Sequence, residues 1–336
     1  MVLLSQELMP PETIPEGVEK EKQPWRTEYD VISTLKSMGH EVYPCGLRSD
    51  LEVIAKAREE NKPQVVFNLL EDFEGQALYD QHVVSYLELI KQPYTGCNPR
   101  GLTIAHDKAL TKKILSYHRI AVPGFAVFPM GQKVARPRRL KFPLFVKSVV
   151  EEGSIGISQA SVVSDDQKLT ERVEFIHRQT NSHAIAEQNI EGREIYVGVI
   201  GNRKLQTYTP WEMMITNMPE GALNIATGRL KWNADYQKKV GLVTKPAELS
   251  PELQRKILLL SKRIYRHLSL SGYARLDYRM NNDGECYLLE ANPNPQIAKN
   301  EDFADSAAHC NISYPQMLQK IITLGLSYNT AEYIFI

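Results

Sequence analysis

Two short segments near the C-terminal end of the chain predict a β-hairpin whose polar side chains could bind a metal ion. Residues 273–278 alternate with period two, and residues 286–292 form a second run typical of a strand. Asp283 and Gly284 lie between them and favour a two-residue hairpin turn. A turn centred on these two residues fixes which positions of the strands face each other.

This register brings two carboxylates together. Asp277 then faces Glu290, and Arg275 faces Asn292. Like charges so placed repel, unless one carboxyl group has a raised pKa or a cation lies between them. Oxygen ligands from Asp, Glu and Asn suit Mg²⁺ rather than zinc. The alternative is a solvated hairpin face on which Arg275 forms a salt bridge.

Mg²⁺ in proteins usually binds substrate phosphates as well as carboxylates. The next candidates are therefore residues that bind phosphate oxygens, which are lysines and the backbone amides of glycine-containing turns. Asp107 is a good N-cap, which places Lys108 in the first helical turn, where the dipole disfavours a cation. Lys108 is therefore either an exposed lysine that tolerates this cost or one aimed at a phosphate. Lys147 ends the apolar strand 143–147, and the glycine-containing turn 152–156 follows it. The common glycine-rich phosphate motifs do not occur.

The N-terminal third alternates helical and strand patterns, which predicts an open parallel sheet with helices on both faces. The predicted helices are 29–39, 51–58 and 82–90, and the predicted strands are 41–43, 65–70 and 93–96. Further on, strands are predicted at 143–147, 184–188 and 195–200, and a helix opens at Ser250 and Pro251. Residues 5–24 indicate an irregular loop, and residues 206–248 give no clear prediction.

Composition and charge argue against several classes of protein, namely nucleic-acid-binding, membrane-spanning and disulfide-rich proteins. The 336 residues carry 40 Lys and Arg against 40 Asp and Glu, so no basic excess for nucleic acid binding exists. No apolar run approaches the roughly 20 residues that span a bilayer, and no signal peptide is evident. The four cysteines are widely spaced, which disfavours a disulfide framework or a zinc site. We therefore expect a cytoplasmic protein without nucleic acid or membrane partners.

A series of short sequence blocks follows in a characteristic order between about residues 90 and 320. The blocks are Pro93-Tyr94-Thr95-Gly96, Asp107-Lys108, Phe145-Val146-Lys147, residues 152–156 and 187–194, Ala274-Arg275-Leu276-Asp277 and residues 289–293. Together they resemble the ATP-grasp superfamily and, within it, the D-alanine–D-alanine ligase branch. The resemblance implies an α/β fold of three parts: an N-terminal parallel-sheet domain (1–102), a central lid domain (103–188) and a C-terminal catalytic lobe with an antiparallel sheet (189–336).

The resemblance also implies roles for individual residues. ATP would be bound through its phosphates by Lys108 and Lys147, through its adenine edge by Glu187 and the backbone of Gln188 and Ile190, and through its ribose by Glu194. Asp277, Glu290 and Asn292 would hold Mg²⁺, as two ions, with Mn²⁺ as an alternative. Arg275 would stabilise the transferred phosphoryl group. The turn containing Gly153, Ser154 and Gly156 would close over the triphosphate, with Ser154 and Lys231 as further catalytic contacts.

The implied chemistry is the ATP-dependent joining of a carboxylate to an amine through an acyl phosphate. The substrates would be amino acids or a dipeptide-like pair, and the protein would be a homodimer. Two other functions stay open: a phosphotransferase with the same nucleotide site, and an ATP-binding module without turnover.

The substrate-binding segments depart from those of the family. The family's early glutamate, which holds the substrate ammonium group, has no clear counterpart, because neither Glu7 nor Glu28 can be placed there. Glu71, Asp72 and Glu74 replace the histidine-glycine segment of the family. They indicate either a site for an amino-bearing substrate or a solvated acidic loop. The altered segments predict a carboxylate or amine different from that of the cell-wall enzymes.

Overall fold

A small parallel sheet forms the N-terminal part of the protein. The computed structural model describes residues 1–150, 156–217, 230 and 233–329. Strands β1 (Val2–Ser5), β2 (Pro44–Leu47) and β3 (Phe67–Asn68) are parallel in the order β2-β1-β3. Helix α1 (Arg26–Ser37) lies between β1 and β2, helix α2 (Glu52–Asn61) lies between β2 and β3, and helix α3 (Asp80–Leu89) follows β3.

The parallel sheet is confirmed, but several predicted bounds are wrong. The strand predicted at 41–43 begins only at Pro44, and the strand predicted at 65–70 contains two residues. The strand predicted at 93–96 is a single parallel bridge between Val66 and Tyr94. Residues 5–24 contain two single-turn 3-10 helices, Gln6–Leu8 and Lys20–Lys22. Short buried strands carry little periodicity, so their ends are set by the neighbouring strand rather than by local sequence.

Two helices lead from this sheet into the central part. Helix α4 (Pro99–His106) begins at Asn98, whose side chain accepts a hydrogen bond from the Gly101 amide at 2.9 Å. Helix α5 (Lys108–Tyr117) begins at Asp107, which accepts from the Ala109 and Leu110 amides, as the capping pattern predicts.

The central sheet is antiparallel. Strands β4 (Phe125–Phe128), β5 (Leu144–Ser148), β6 (Val162–Val163) and β7 (Ala184–Gln188) lie in the order β4-β7-β5-β6. Helix α6 (Asp166–Thr180) packs on one face through Leu169, Val173 and Ile176. On the other face Ile185 contacts Ala109 of α5, which brings that helix against the sheet.

The third sheet is the largest. Strands β8 (Arg193–Ile200), β9 (Gln206–Thr207), β10 (Trp211–Ile215), β11 (Leu242–Pro246), β12 (Tyr273–Met280) and β13 (Cys286–Pro293) have the order β11-β10-β8-β12-β13, with β9 beside β8. Among the described residues of this part, four helices have full bounds: α7 (Ala234–Val240), α8 (Pro251–His267), α9 (Asp302–His309) and α10 (Tyr314–Leu326). The segment 206–248 gave no prediction, and the part of it that the structure describes contains the strands β9, β10 and β11 and the helix α7.

Apolar clusters join the first and third parts. One contains Leu3 and Val66 of the first sheet together with Leu276 of β12 and Ile264 of α8. Because α8 covers the apolar face of the third sheet, the polar face is left for a site. The three sheets fall within the ranges 1–102, 103–188 and 189–336, and the division into domains at those bounds stays a prediction.

The predicted hairpin of β12 and β13 forms, with a longer turn than expected. Met280 pairs with Cys286, and the Asn281 amide donates to the Glu285 carbonyl at 3.0 Å, so the turn contains three residues rather than two. Gly284, in this turn, adopts a φ of +75°. A β-bulge at Leu289 inserts one residue into β13, so that Tyr278 pairs with Leu288 whereas Asp277 pairs with Glu290. The two deviations cancel, and the predicted pairing of Asp277 with Glu290 is confirmed.

Candidate active site

The polar face of the third sheet, opposite the face that α8 covers, carries most of the charged side chains of the site. Side chains two apart on a strand share a face, so this face carries Arg275, Asp277 and Arg279 of β12, Glu194 and Tyr196 of β8, and Glu290 and Asn292 of β13. The register places Arg275 opposite Asn292 and Asp277 between Tyr196 and Glu290. Strand alternation and the register of the hairpin therefore place Arg275, Asp277, Glu290 and Asn292 on the same face of the sheet.

Arg275 and Asp277 form a bidentate ion pair. Nε of Arg275 lies 2.8 Å from Oδ1 of Asp277, and a terminal guanidinium nitrogen lies 2.9 Å from Oδ2. The guanidinium also stacks over the ring of Tyr196, 4.7 Å from its centroid. Burial alone would lower the pKa of Arg275, but the charge and hydrogen bonds of Asp277 outweigh it and raise this pKa. Arg275 is thus a fixed positive charge.

Lys108 neutralises the second carboxylate of the hairpin. Its Nζ lies 2.7 Å from Oε1 of Glu290, and the lysine side chain is 4% exposed. The amide of Lys108 donates to the Val149 carbonyl at 3.1 Å, which ties the start of α5 to the end of β5. A lysine in the first turn is thus buried against an acid, which excludes the interpretation as an exposed surface lysine.

A second group of charges lies between α5 and the central sheet. Nζ of Lys112 is 3.2 Å, and Nζ of Lys147 is 3.3 Å, from the same Oε1 of Glu187. Burial alone would raise the pKa of Glu187, but the two ammonium groups outweigh it and lower this pKa. Burial lowers the pKa of Lys112 to about 8, although the negative charge of Glu187 acts to raise it. Lys112 also donates to the carbonyl oxygen of Leu289 at 2.7 Å, which joins this group to the hairpin.

Glu194 is held by two partners on the sheet. A guanidinium nitrogen of Arg279 lies 2.9 Å from Oε2, and the Tyr196 hydroxyl donates to Oε1 at 2.9 Å. Burial raises the pKa of Tyr196, so its hydroxyl remains a donor at neutral pH. Glu194 therefore belongs to the same charged face as Asp277.

The structure brings most of the predicted site residues together and places others at the margin. Among the predicted residues, Lys108 pairs with Glu290, Lys147 with Glu187 and Arg275 with Asp277. Asn292 lies opposite Arg275, and Glu194 lies on the same face with Arg279 and Tyr196 as its partners. Gln188 follows at the end of β7, where its amide donates to the Gly124 carbonyl at 2.7 Å, and Ile190 lies just beyond. Gly156 has a φ of +71° and its carbonyl accepts from Arg172. Gly153, Ser154 and Lys231 lie outside the described residues.

The residues of the hairpin fit a magnesium ion by their donor chemistry. Two carboxylates and an amide oxygen are hard ligands of the kind Mg²⁺ takes together with substrate phosphates. The side-chain nitrogen of Asn292 is buried and has no hydrogen-bond partner among the described residues, so no such bond fixes how the amide is turned. Across the described part of the chain, no group of three His, Cys, Asp or Glu side chains forms a metal site by itself. An ion here would therefore need Asn292 or a substrate oxygen.

A cavity beside the far end of the hairpin carries a buried acid. Glu28, in the first turn of α1, is 3% exposed, and its Oε2 has no hydrogen-bond partner among the described residues. Burial raises the pKa of Glu28 to about 7, with a smaller effect from Glu71. Both acids line the cavity together with Asn294, which follows β13. Asp72 does not line it and instead accepts from the Gly75 amide at 3.0 Å.

Sequence reasoning missed three members of this site. Lys112 lies one helical turn after Lys108 on the same face of α5, and that spacing could have revealed it. Arg279 continues the alternation of Arg275 and Asp277, and Tyr196 alternates with Glu194 in the same way. Their partners lie on other strands or helices, so the spacing predicts their side of the element but not their contacts.

Comparisons with known proteins identify the family. The family model for the C-terminal part of D-Ala–D-Ala ligases matches residues 115–323. A D-alanine–D-alanine ligase of Syntrophotalea carbinolica is 30% identical over 88% of this chain and 89% of its own length. An uncharacterized protein of Sinorhizobium fredii is 27% identical over 90% of this chain and 89% of its own length.

A solved structure shows the same fold. The D-alanine–D-alanine ligase of Bacillus anthracis, in complex with ATP, superposes with a TM-score of 0.74 at 24% identity, covering 97% of this chain and 96% of that one. The fold and the charged sheet face define an ATP-grasp protein. The chain belongs to the D-Ala–D-Ala ligase family. It is an ATP-dependent ligase that forms amide bonds.

None of the described helices has the length and apolar character needed to cross a membrane.

Proposed function

We propose that the chain uses Mg-ATP to join the carboxylate of one amino acid to the amino group of a second substrate. The observation that carries this proposal is the continuous contact path from Lys147 through Glu187 and Lys112 to the Leu289 carbonyl, beside the Lys108–Glu290 pair. The path joins two lysines to the hairpin that carries the candidate metal ligands. Cations beside such ligands suit a polyphosphate and an attacking carboxylate.

In the proposed reaction, the substrate carboxylate attacks the γ-phosphorus of ATP and ADP leaves, which gives an acyl phosphate. The amine then attacks the acyl carbon, loses a proton and expels phosphate. Mg²⁺ held by Asp277, Glu290 and Asn292 would neutralise charge on the phosphates. The protein supplies position and electrostatic stabilisation rather than a nucleophile.

The residues predicted from the sequence each have a role in this proposal. Lys108 and Lys147 bind phosphate oxygens, and Arg275, kept charged by Asp277, stabilises the transferred phosphoryl group. Glu187 and the backbone of Gln188 and Ile190 contact adenine, and Glu194 contacts the ribose. Gly153, Ser154, Gly156 and Lys231 complete the contacts to the triphosphate. The homodimer implied by the resemblance stays a prediction.

The cavity at Glu28 supports an amino acid as substrate. A buried carboxylate without a hydrogen-bond partner on one oxygen is costly, and an ammonium group would relieve that cost. Glu71 adds negative charge at the same cavity, which favours an amino-bearing substrate. We propose that Glu28 holds the α-ammonium group of an amino acid, as an acid of this kind does in the family.

The test is a screen of paired amino acids with ATP and Mg²⁺, in which ADP, phosphate and a condensed product are measured together. We expect ADP and free phosphate in equal amounts with the condensed product, and only when a productive pair is present. A stable phosphorylated product would instead indicate a phosphotransferase. Nucleotide binding without ADP release across the whole panel would indicate a binding module.

A further inference from the structure

Lys112 carries a buried charge in the site that none of the roles above uses. Its side chain is 1% exposed and its Nζ contacts two acceptors, Oε1 of Glu187 and the carbonyl oxygen of Leu289. We propose that Lys112 is a positioning residue that keeps Glu187 neutralised and thereby leaves Lys147 free to bind the nucleotide phosphates. This inference rests on the proposed nucleotide site.

The two lysines that share Glu187 are not equivalent. Lys112 is enclosed and anchored at 2.7 Å to a backbone carbonyl as well as at 3.2 Å to the acid. The side chain of Lys147 is 10% exposed, and its Nζ lies 3.3 Å from the same oxygen. Lys147 is therefore the lysine that can turn towards an incoming anion, whereas Lys112 stays in place.

The charge balance of this group supports the same division. Two ammonium groups, those of Lys112 and Lys147, face the single carboxylate of Glu187, so these three side chains carry a net charge of +1. Excess positive charge in a buried position calls for an anionic partner, and a phosphate supplies one.

The buried carboxylate of Glu187 needs a cationic partner even when Lys147 binds a phosphate, and Lys112 is that partner. Its side chain is 3% exposed, so loss of every cationic neighbour would leave a buried, unpaired carboxylate. With Lys112 in place, Lys147 can leave Glu187 without creating that state. In a variant without Lys112, a nucleotide that binds Lys147 must also break the Lys147–Glu187 ion pair, which is then the remaining one of the two described for Glu187.

The anchor on Leu289 holds Lys112 in register with the hairpin. Leu289 is the bulged residue, and the next residue, Glu290, contacts Lys108 one helical turn before Lys112. Two lysines on one face of α5 thus contact adjacent residues of β13, which fixes the helix relative to the hairpin.

The test is a double-mutant cycle on Mg-ATP affinity, measured by titration calorimetry without a second substrate. We expect Lys112→Met to raise the Kd for Mg-ATP about tenfold, because Lys147 then stays with Glu187. In the Glu187→Gln background, the same substitution should change the Kd by no more than about twofold, since the neutral amide no longer retains Lys147. Lys113→Met, at the exposed neighbouring position, is the matched control.

A role confined to folding would lower the thermal unfolding midpoint and change the Kd by the same factor in both backgrounds. That result, or an unchanged Kd in Lys112→Met, would overturn the proposal. If Lys112→Met does not fold, Lys112→Gln provides the same cycle, because it removes the charge and keeps a donor for the Leu289 carbonyl. A wild-type chain that binds Mg-ATP but forms no amide would refute the proposed reaction and leave this inference intact.

Discussion

Asp277 lies directly opposite Glu290 across β12 and β13, next to the bulge at Leu289. Each carboxylate has its own cation, Arg275 for Asp277 and Lys108 for Glu290. The two acids can therefore stay close together without a metal ion, and the hairpin is ready to take one. This preformed arrangement leads to specific expectations for variants.

Removal of the charge at Asp277 should abolish most of the ligase activity. We expect Asp277→Asn to lower kcat/KM at least about a hundredfold, because the substitution removes a charged ligand of the proposed Mg²⁺ and weakens the ion pair that holds Arg275 at the transferred phosphoryl group. Asp283→Asn, in the exposed turn of the same hairpin, is the control and should retain wild-type kinetics. Wild-type activity in Asp277→Asn would refute the assignment of this face as the active site.

The guanidinium group of Arg279 neutralises the buried negative charge of Glu194. In Arg279→Met the buried carboxylate keeps only the Tyr196 hydroxyl among its hydrogen-bond partners in the described part of the chain, so we expect the free energy of unfolding to fall by about 3 kcal/mol. Lys245→Met breaks the solvent-exposed pair with Glu248 and should change stability little. Urea denaturation measures both, and equal losses in the two variants would contradict the role given to burial.

Glu28 should make stability depend on pH. Its pKa of about 7 lies above the ordinary 4.5, so the folded state binds the proton more tightly and loses stability as the pH rises from about 4.5 to 7. Glu28→Gln removes this loss, so its stability relative to wild type should increase over that range, by at most about 1.4 kcal/mol per pH unit. Denaturation at pH 5, 6, 7 and 8 checks this. A difference that is constant with pH would contradict it.

Gly272 sits where the first and third parts of the protein touch. Its φ is +67°, and a methyl group there would overlap the backbone of Gly96. We expect Gly272→Ala to lower the free energy of unfolding by at least about 2 kcal/mol. Gly131→Ala, at a φ of +75° with open space around it, should cost about 1 kcal/mol. Similar losses in both variants would show that the close approach of the two backbones contributes nothing.

Local signals in the sequence were enough for many elements. Asp107 and Ser250 begin helices because their side chains satisfy amides two or three residues ahead, an interaction that needs no distant partner. The alternation of Arg275 and Asp277 gave the correct face of β12 for the same local reason. By contrast, β1 was missed, because a segment of three apolar residues and a serine forms a strand there only through pairing with β2 and β3.

The sequence alone determined the α/β class, the hairpin and the side chains on its polar face, because strand period and capping act over a few residues. Tertiary structure decided which cation serves which acid. Lys112 meets the Leu289 carbonyl across 177 residues of chain, and Glu28 comes to lie in a cavity bounded by the end of β13. Such contacts depend on how sheets and helices pack, and packing is set by the whole apolar core rather than by any local pattern.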